Sequence, residues 1–303
     1  MNRRYTREQV QELYRALYSN GKYEYDEEGY LRTISCRDTD YIPKVENAGK
    51  IITHKGHECQ VMHNGVKILK GCYHQDHLTD IIENLKGHHE PQEEKLFYEI
   101  LKYIPDNGLM IEVGSFWAYY SMWFNREVKN ARNIMIEPDF DRLEIGEINF
   151  HLNDMSGEFI HGFISPRVPG NSWSRQVWYA QARSGPYCVK KEPERLYIDD
   201  FLERENIQKV DLLHCDGQEC EIELLGDAEK SLESHKIKFL FLSTHKKEHT
   251  KFIKFLSLLG YNILQEFTME ESCFDDGLIL ACAPDVYEQI DTTKLTISRK
   301  EKE

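Results

Sequence analysis

Apolar residues follow two alternating patterns along most of the chain. Short apolar runs predict buried strands, and longer stretches in which apolar positions return every three or four residues predict amphipathic helices. Strands are expected over residues 109–113, 133–137, 158–163, 210–215, 238–243, 261–266 and 277–282. Helices are expected between most of them, over residues 119–128, 140–151, 219–234 and 247–259.

This alternation predicts an α/β fold with a seven-stranded, mostly parallel sheet and helices on both faces. No helix separates the last two strands, so we expect the final strand to enter antiparallel.

The first 84 residues do not follow the pattern. A capping box that begins at Thr6 predicts a short helix, and Asn64-Gly65 predicts a β-hairpin because both residues tolerate a positive φ. We therefore expect a small α+β extension over residues 1–84 and a larger domain over residues 85–303.

Composition narrows the class of protein. The hydrophobic and aromatic fractions of 40% and 12% are those of a globular chain, and the net charge of -14 would repel a phosphate backbone, so no nucleic-acid partner is expected. No apolar stretch is long enough for a membrane span or a signal core. The eight cysteines include no CxxC pair. This pattern is typical of reduced thiols, so we expect a cytoplasmic protein; a homo-oligomer is left open.

Two histidine-rich segments are candidate sites. His54, His57, Cys59 and His63 carry zinc-binding groups, but their spacing matches no zinc finger and a hairpin strand would separate them, so the hairpin interpretation is preferred.

The second segment is GHHEPQEE, residues 87–94. Pro91 and the acids that follow it are typical of a helix start. That role does not explain His88, His89 and Glu90. Because this helix leads into the first strand of the sheet, we expect His89 and Glu90 at the mouth of a ligand site and assign them to the substrate.

The turn after the first strand is the default place for a cofactor, because ligands of such sheets bind beyond the carboxyl ends of the strands. Glu112 and Gly114 end that strand, and no further glycine occurs over residues 115–119 to hold a pyrophosphate. Glu137 lies where an acid accepts hydrogen bonds from ribose hydroxyls. A cofactor with a ribose but no pyrophosphate fits best.

Three segments resemble the FkbM family of class I S-adenosylmethionine (SAM)-dependent methyltransferases: IEVGS at 111–115, IMIEP at 134–138 and VDLLHCDGQECE at 210–221. The resemblance covers residues 85–283. It implies a Rossmann-like sheet, SAM as cofactor and O-methylation of a sugar hydroxyl, in a glycan or a nucleotide-linked precursor. The sequence departs from the family at Ala118, where a second glycine is usual, and at Glu219 and Cys220, which replace glycine and alanine. The family often has a Glu and a His after strand five, and this chain keeps only the histidine, His245.

The resemblance also implies site residues. The methionine amine is placed near Glu112 and the adenine near Gly162 and Phe163. The cofactor set is Glu112, Gly114, Ser115, Phe116, Ser121, Glu137, Gly162, Phe163 and Asp216.

Catalysis is assigned to the ends of strands four and five. A sugar hydroxyl must lose its proton, which a general base or a metal ion assists. Asp216 and His245 end neighbouring strands, so both can reach one pocket. His245 is the leading candidate base; Asp216 could orient it, bind the hydroxyl, or ligate a divalent cation (Mg or Mn) with His245. His214 is expected to point away and pack.

The insertion at residues 165–190 is long for a compact domain and predicts a lid. Its Trp173 and Trp178 are assigned to the substrate, because aromatic faces stack on sugar rings. Alternatively they fasten the loop to the body or form a dimer contact. Two rival functions stay open: a metal-dependent small-molecule O-methyltransferase, and a non-catalytic SAM-binding scaffold.

Overall fold

The computed structural model describes residues 6–17, 27–164, 192–217, 221–245 and 248–300. Up to residue 84 it contains three helices and a three-stranded antiparallel sheet. The predicted capping box is confirmed, since the Thr6 amide donates to Gln9 Oε1 and the Gln9 amide to Thr6 Oγ1. The predicted hairpin is confirmed as well, with Cys59 opposite Leu69. In chain order the elements are α1 Arg7–Leu17, α2 Glu27–Ser35, β1 Ile51–His54, β2 His57–Val61, β3 Lys67–Leu69 and α3 Gln75–Asn84.

The rest of the described chain builds an eight-stranded sheet. Its strands are β4 Leu109–Val113, β5 Arg132–Glu137, β6 Glu158–Ile164, β7 Glu194–Leu196, β8 Val210–Cys215, β9 Ile237–Thr244, β10 Asn262–Phe267 and β11 Gly277–Cys282. The strand order is β10-β11-β9-β8-β4-β5-β6-β7. Seven strands lie at the predicted places, and the short β7 extends the edge beside β6. The last strand is antiparallel to both neighbours, as expected.

Helices connect the strands as the periodicity predicted, with two differences. Residues Ile198–Arg204 form a helix that was not predicted. The helix expected over residues 219–234 is broken at Ala228 into two short helices. No helix within the described ranges is long and apolar enough to cross a bilayer. The helices are α4 Pro91–Leu101, α5 Tyr119–Glu127, α6 Phe140–Leu152, α7 Ile198–Arg204, α8 Glu221–Asp227, α9 Glu229–Glu233, α10 His249–Leu258 and α11 Pro284–Tyr287.

Each face of the sheet has its own hydrophobic cluster, because strand side chains alternate between the faces. Met110 and Leu212 contribute to one cluster, and Ile111 and Leu213 to the other. The first cluster also contains Leu13 and other apolar residues of α1 and the small sheet. The extension therefore covers one face of the main sheet.

The side-chain amides of Asn149 in α6 and of Asn153, which directly follows α6, connect the extension to this face. The Leu69 amide donates to Asn149 Oδ1 (2.9 Å) and the Lys67 amide to Asn153 Oδ1 (2.8 Å). Asn149 Nδ2 also donates to the Trp117 carbonyl, in the turn after β4. Buried hydrogen bonds of this kind each contribute about 1 kcal/mol. They bring the extension next to the carboxyl ends of the strands.

Candidate functional site

A cavity of about 330 Å³ lies beyond the carboxyl ends of β4, β5 and β8. Gly114, in the turn after β4, has a φ of +77°, and a Cβ atom there would stand 2.0 Å from the carbonyl oxygen of Asp216. Phe116 and Ala118 also have positive φ, at 40° and 58°. This conformation is uncommon for residues other than glycine. Ala118, where the family usually has a second glycine, therefore keeps the backbone conformation that glycine favours.

Glu112 is at the end of β4 and is 3% exposed. Its Oε2 accepts a hydrogen bond from the Ser121 amide (3.2 Å), while its side chain lines the cavity. Burial raises its pKa to about 7. Ser121 is not among the lining residues and reaches the site through this amide. The Ser121 amide therefore fixes the Glu112 carboxyl group in the cavity wall.

Glu137, at the end of β5, is equally buried. It accepts from the Phe116 amide (3.1 Å) and the Asp139 amide (2.9 Å), and burial raises its pKa to about 7. The Asp139 side chain caps α6, and the Arg142 guanidinium lies 4.5 Å from the centre of the Phe116 ring. Asp139 and Arg142 line this end of the cavity.

Gly162 and Phe163 lie elsewhere. Both are buried on β6, where Gly162 pairs with Glu194 of β7, and neither is among the residues that line the cavity. The described wall next to Glu137 is built by Pro138 and α6 instead.

The expectation that His214 packs away from the site is wrong. His214 is 2% exposed but lines the cavity, because the parallel register places it beside Glu112 on the same face of the sheet. Its Nε2 is 3.4 Å from Glu93 Oε1, and its Nδ1 is 3.9 Å from Glu112 Oε1. Burial lowers the pKa of this imidazole.

The GHHEPQEE segment forms a buried ion-pair network around Glu94. This carboxylate contacts His88 Nδ1 and accepts from the His89 amide (2.7 Å), and His89 Nδ1 lies 2.6 Å from it. Burial alone would raise the pKa of Glu94, but the two histidines hold it well below its ordinary value. The network fixes the loop before α4.

His89 and Glu90 both line the cavity. His89 Nε2 lies 3.2 Å from Glu90 Oε2, which also accepts from the Tyr120 hydroxyl (3.0 Å). Burial works against charge on His89, but Glu90 and Glu94 raise its pKa to about 10. At neutral pH His89 is therefore an imidazolium that faces Glu90 in the cavity wall.

Asp216 and His245 come together as predicted, and the structure adds Asp276. His245 Nε2 is 3.6 Å from Asp216 Oδ1 and 3.3 Å from Asp276 Oδ1, and its Nδ1 is 3.1 Å from Glu221 Oε1. Both aspartates line the cavity, whereas His245 lies behind them. Burial disfavours the charge on His245, but hydrogen bonds to Asp276 and Glu221 and nearby charges raise its pKa to about 11.

Asp276 was not predicted from the sequence, and the topology explains why. The antiparallel β11 lies beside β9 with Gly277 opposite Thr244, which brings the residue before Gly277 next to the residue after Thr244. The only local signal is a pair of acids, Asp275 and Asp276, ahead of the last strand.

The extension also supplies part of the wall, through Tyr73 and His74. The Tyr73 ring stacks on Trp117 at 4.9 Å and 8° and meets Phe116 edge-on at 5.4 Å. His74 has a φ of +47°. No sequence pattern pointed to this contribution. The predicted substrate residues Trp173 and Trp178, with the predicted lid at 165–190, lie outside the described residues.

The four zinc-binding groups of the extension do not converge. His54 Nε2 contacts the Leu152 carbonyl, and His63 stacks on His88 at 4.2 Å. Within the described ranges, two sets of three side chains are close enough to share an ion: His63-His88-Glu94 and Asp216-His245-Asp276. In the first set, the Tyr119 hydroxyl hydrogen-bonds with His63 and Glu94 at 3.1 and 3.4 Å. Hydrogen bonds thus explain why the three side chains of this set lie close together.

Comparison with known proteins assigns the class. Residues 103–263 match the model of the methyltransferase FkbM domain. With the sheet and the cavity at its carboxyl edge, this match makes the protein a SAM-dependent methyltransferase. More particularly, because the match covers more than half of the chain, the protein belongs to the FkbM methyltransferase family.

No curated protein sequence matches the chain. Solved structures that resemble it include M. capricolum TrmK in complex with S-adenosyl-homocysteine (12% identity, 62% of this chain and 67% of that chain covered, TM-score 0.39). Another is the O-methyltransferase from Bacillus cereus in complex with SAH (13%, 63% and 80%, 0.39). A third is the precorrin-6y C5,15-methyltransferase from Geobacter metallireducens (11%, 63% and 86%, 0.39).

Proposed function

We propose that this enzyme transfers the methyl group of SAM to a hydroxyl of a sugar, in a glycan or a nucleotide-linked precursor. One observation carries the proposal. The two carboxylates held by His245, those of Asp216 and Asp276, face the same cavity as the two acids suited to the cofactor, Glu112 and Glu137.

The residues present fit SAM. Glu112 is an acceptor for the methionine amine, and Glu137 for the ribose hydroxyls. The Ser115 hydroxyl is 2% exposed and its Oγ makes no hydrogen bond, so it is available to a ligand in this turn. When bound, SAM supplies a methyl group activated by the positive charge on sulfur. The other carboxylates of the wall favour that charge.

The reaction is a displacement. The acceptor oxygen forms a bond to the methyl carbon as the carbon–sulfur bond breaks, and the electron pair stays on sulfur. The hydroxyl proton must leave the oxygen, and general bases accelerate such steps by about 10² to 10⁴. Asp216 and Asp276 border the cavity, and His245 behind them fixes their positions. We assign the proton to one of these aspartates and a positioning role to His245.

The other wall supports a polyhydroxylated acceptor. The rings of Tyr73 and Trp117 form a stacked pair beside Glu90 and the two aspartates. Aromatic faces pack on the apolar side of sugar rings, and carboxylates accept hydrogen bonds from sugar hydroxyls. The acidic lining supports a sugar over a nucleic acid.

A labelled-methyl transfer assay across nucleotide sugars and oligosaccharides tests this function. The wild type should label at least one acceptor, Asp216→Asn should abolish the labelling, and both proteins should bind SAM in calorimetry. If the wild-type protein binds SAM but labels no acceptor, the result would favour a non-catalytic SAM-binding scaffold. Labelling that survives in Asp216→Asn would overturn the catalytic assignment.

A second candidate is a metal-dependent O-methyltransferase of small molecules, favoured by the set Asp216-His245-Asp276. The two carboxylates suit Mg²⁺ or Mn²⁺, and Asp216 Oδ1 makes no hydrogen bond. A bound ion would supply Lewis acidity to the acceptor oxygen. Running the transfer assay on small catechols as well as sugars, with and without chelator, distinguishes the two. Catechol labelling that chelator removes and Mn²⁺ restores would favour this second candidate.

A further inference from the structure

The His214 imidazole is held firmly at the edge of the cavity. Its ring lies 4.7 Å from the Tyr120 ring and stacks on Phe241 at 5.4 Å and 22°. Its Nε2 faces Glu93 Oε1 at 3.4 Å. The side chain is nearly inaccessible, and its Nδ1 makes no hydrogen bond in the described structure. A buried polar atom without a partner has a free-energy cost that a ligand can remove.

Glu112 lies beside this unpartnered nitrogen. Its Oε1 is 3.9 Å from His214 Nδ1, which is too long for a hydrogen bond. Its Oε2 accepts the Ser121 amide and stays fixed. Two acceptor atoms at this separation can both accept from one ammonium nitrogen, which lies about 2.9 Å from each acceptor in a hydrogen bond. The arrangement requires the Nε2 proton to point to Glu93, which leaves the Nδ1 lone pair towards the cavity.

We propose that His214 is a cofactor-binding residue: its Nδ1 accepts a hydrogen bond from the α-amino group of the methionine part of SAM, alongside Glu112. The inference depends on SAM as methyl donor and not on the acceptor. A failure of the sugar-methylation proposal would therefore not contradict this inference.

Three ligands test it by calorimetry: SAM, S-adenosylhomocysteine, and 5′-methylthioadenosine, which lacks the amino-acid end. His214→Leu should lower the affinity for SAM and S-adenosylhomocysteine by about tenfold or more. It should change the affinity for 5′-methylthioadenosine by less than about twofold. His214→Asn, which keeps an acceptor, should restore part of the affinity. His235→Leu removes a half-buried histidine outside the cavity that contacts the Leu259 carbonyl, and should bind all three ligands normally. Thermal unfolding checks that each variant is folded.

Equal weakening of all three ligands by His214→Leu would overturn the proposal, because it indicates a general distortion. Unchanged affinity for S-adenosylhomocysteine would also overturn it.

A second measurement covers the case in which His214→Leu does not fold or 5′-methylthioadenosine binds too weakly to compare. In wild-type protein with ¹⁵N-labelled histidine, S-adenosylhomocysteine should shift the Nδ1 resonance of His214, and an unmoved resonance at saturation would overturn the proposal.

Discussion

Gly114 lies directly against the backbone of Asp216: a Cβ atom at position 114 would stand 2.0 Å from the Asp216 carbonyl oxygen. The Asp216 amide in turn donates to the Val113 carbonyl (3.0 Å). The turn that follows β4 and the residue that follows β8 are thus in contact through the backbone. The turn proposed to hold the methionine end of SAM and the proposed catalytic carboxylate are therefore positioned by one another.

Gly114→Ala should weaken SAM binding by about tenfold to a hundredfold, since relief of the clash requires backbone movement in the site. The control is Gly56→Ala, because Gly56 has a similar φ of +86° but no atom within 4 Å of the added Cβ. It should cost some stability and leave SAM affinity unchanged. Calorimetry with both variants checks this, and equal SAM affinity in the two would contradict the close approach.

Cofactor affinity should depend on the ionisation of Glu137. Burial raises its pKa to about 7 in the free protein, and ribose hydroxyls donate to the ionised carboxylate, so binding favours the ionised form. Affinity is therefore full above pH 7 and is lost as the pH falls through that value, by up to about tenfold per pH unit. We expect this for 5′-methylthioadenosine in calorimetry between pH 6 and 8.

Glu137→Gln is the control for this pH dependence. The variant should bind 5′-methylthioadenosine weakly and with a flat pH profile. Because this ligand lacks the amine, Glu112 has no direct part in its binding. A slope that persists in Glu137→Gln would assign the titration to another group.

Asp276→Asn should reduce methyl transfer by about a hundredfold or more and change SAM affinity by less than about twofold. The physical reason is that Asp276 lines the cavity in contact with His245, whereas Glu112 and Glu137 are the acids proposed to bind SAM. Turnover and SAM calorimetry are measured on the same preparation. Asp285→Asn, which removes a surface partner of Lys238, should behave as wild type. Normal turnover in Asp276→Asn would remove this residue from the mechanism.

Glu94→Gln should lower the free energy of unfolding by about 3–5 kcal/mol, because it removes the carboxylate that faces both His88 and His89 and so leaves the buried His89 imidazolium with Glu90 alone. Urea unfolding at pH 7 measures this. The exposed Glu46→Gln should stay within about 0.5 kcal/mol of wild type.

This stabilisation should depend on pH. The folded pKa of Glu94 lies well below its ordinary value of 4.5, so its contribution is present above pH 4.5 and is lost as the pH falls below it. The stability difference between wild type and Glu94→Gln should shrink in that range. A difference that stays constant at lower pH would argue against an ionised Glu94.

Local patterns in the sequence were sufficient for the order of the predicted strands and helices, but they did not predict β7 and α7. The positions of β4, β8 and β11 agree with the predicted ranges because their apolar runs are short and bounded. The segments around Glu112 and Glu137 were found for a similar reason, since each acid ends a strand beside a turn. Helix α2 was not predicted; it is a nine-residue helix in a segment rich in Tyr, Gly, Asp and Glu.

The sequence by itself determined the α/β alternation, the antiparallel last strand and the family, since these depend on residues close together along the chain. The tertiary structure decided which distant side chains share the cavity. Strand register placed His214 beside Glu112, the insertion of β11 next to β9 brought Asp276 to His245, and packing of the extension placed Tyr73 on Trp117. These contacts depend on pairing and packing between distant segments, which a local pattern does not encode.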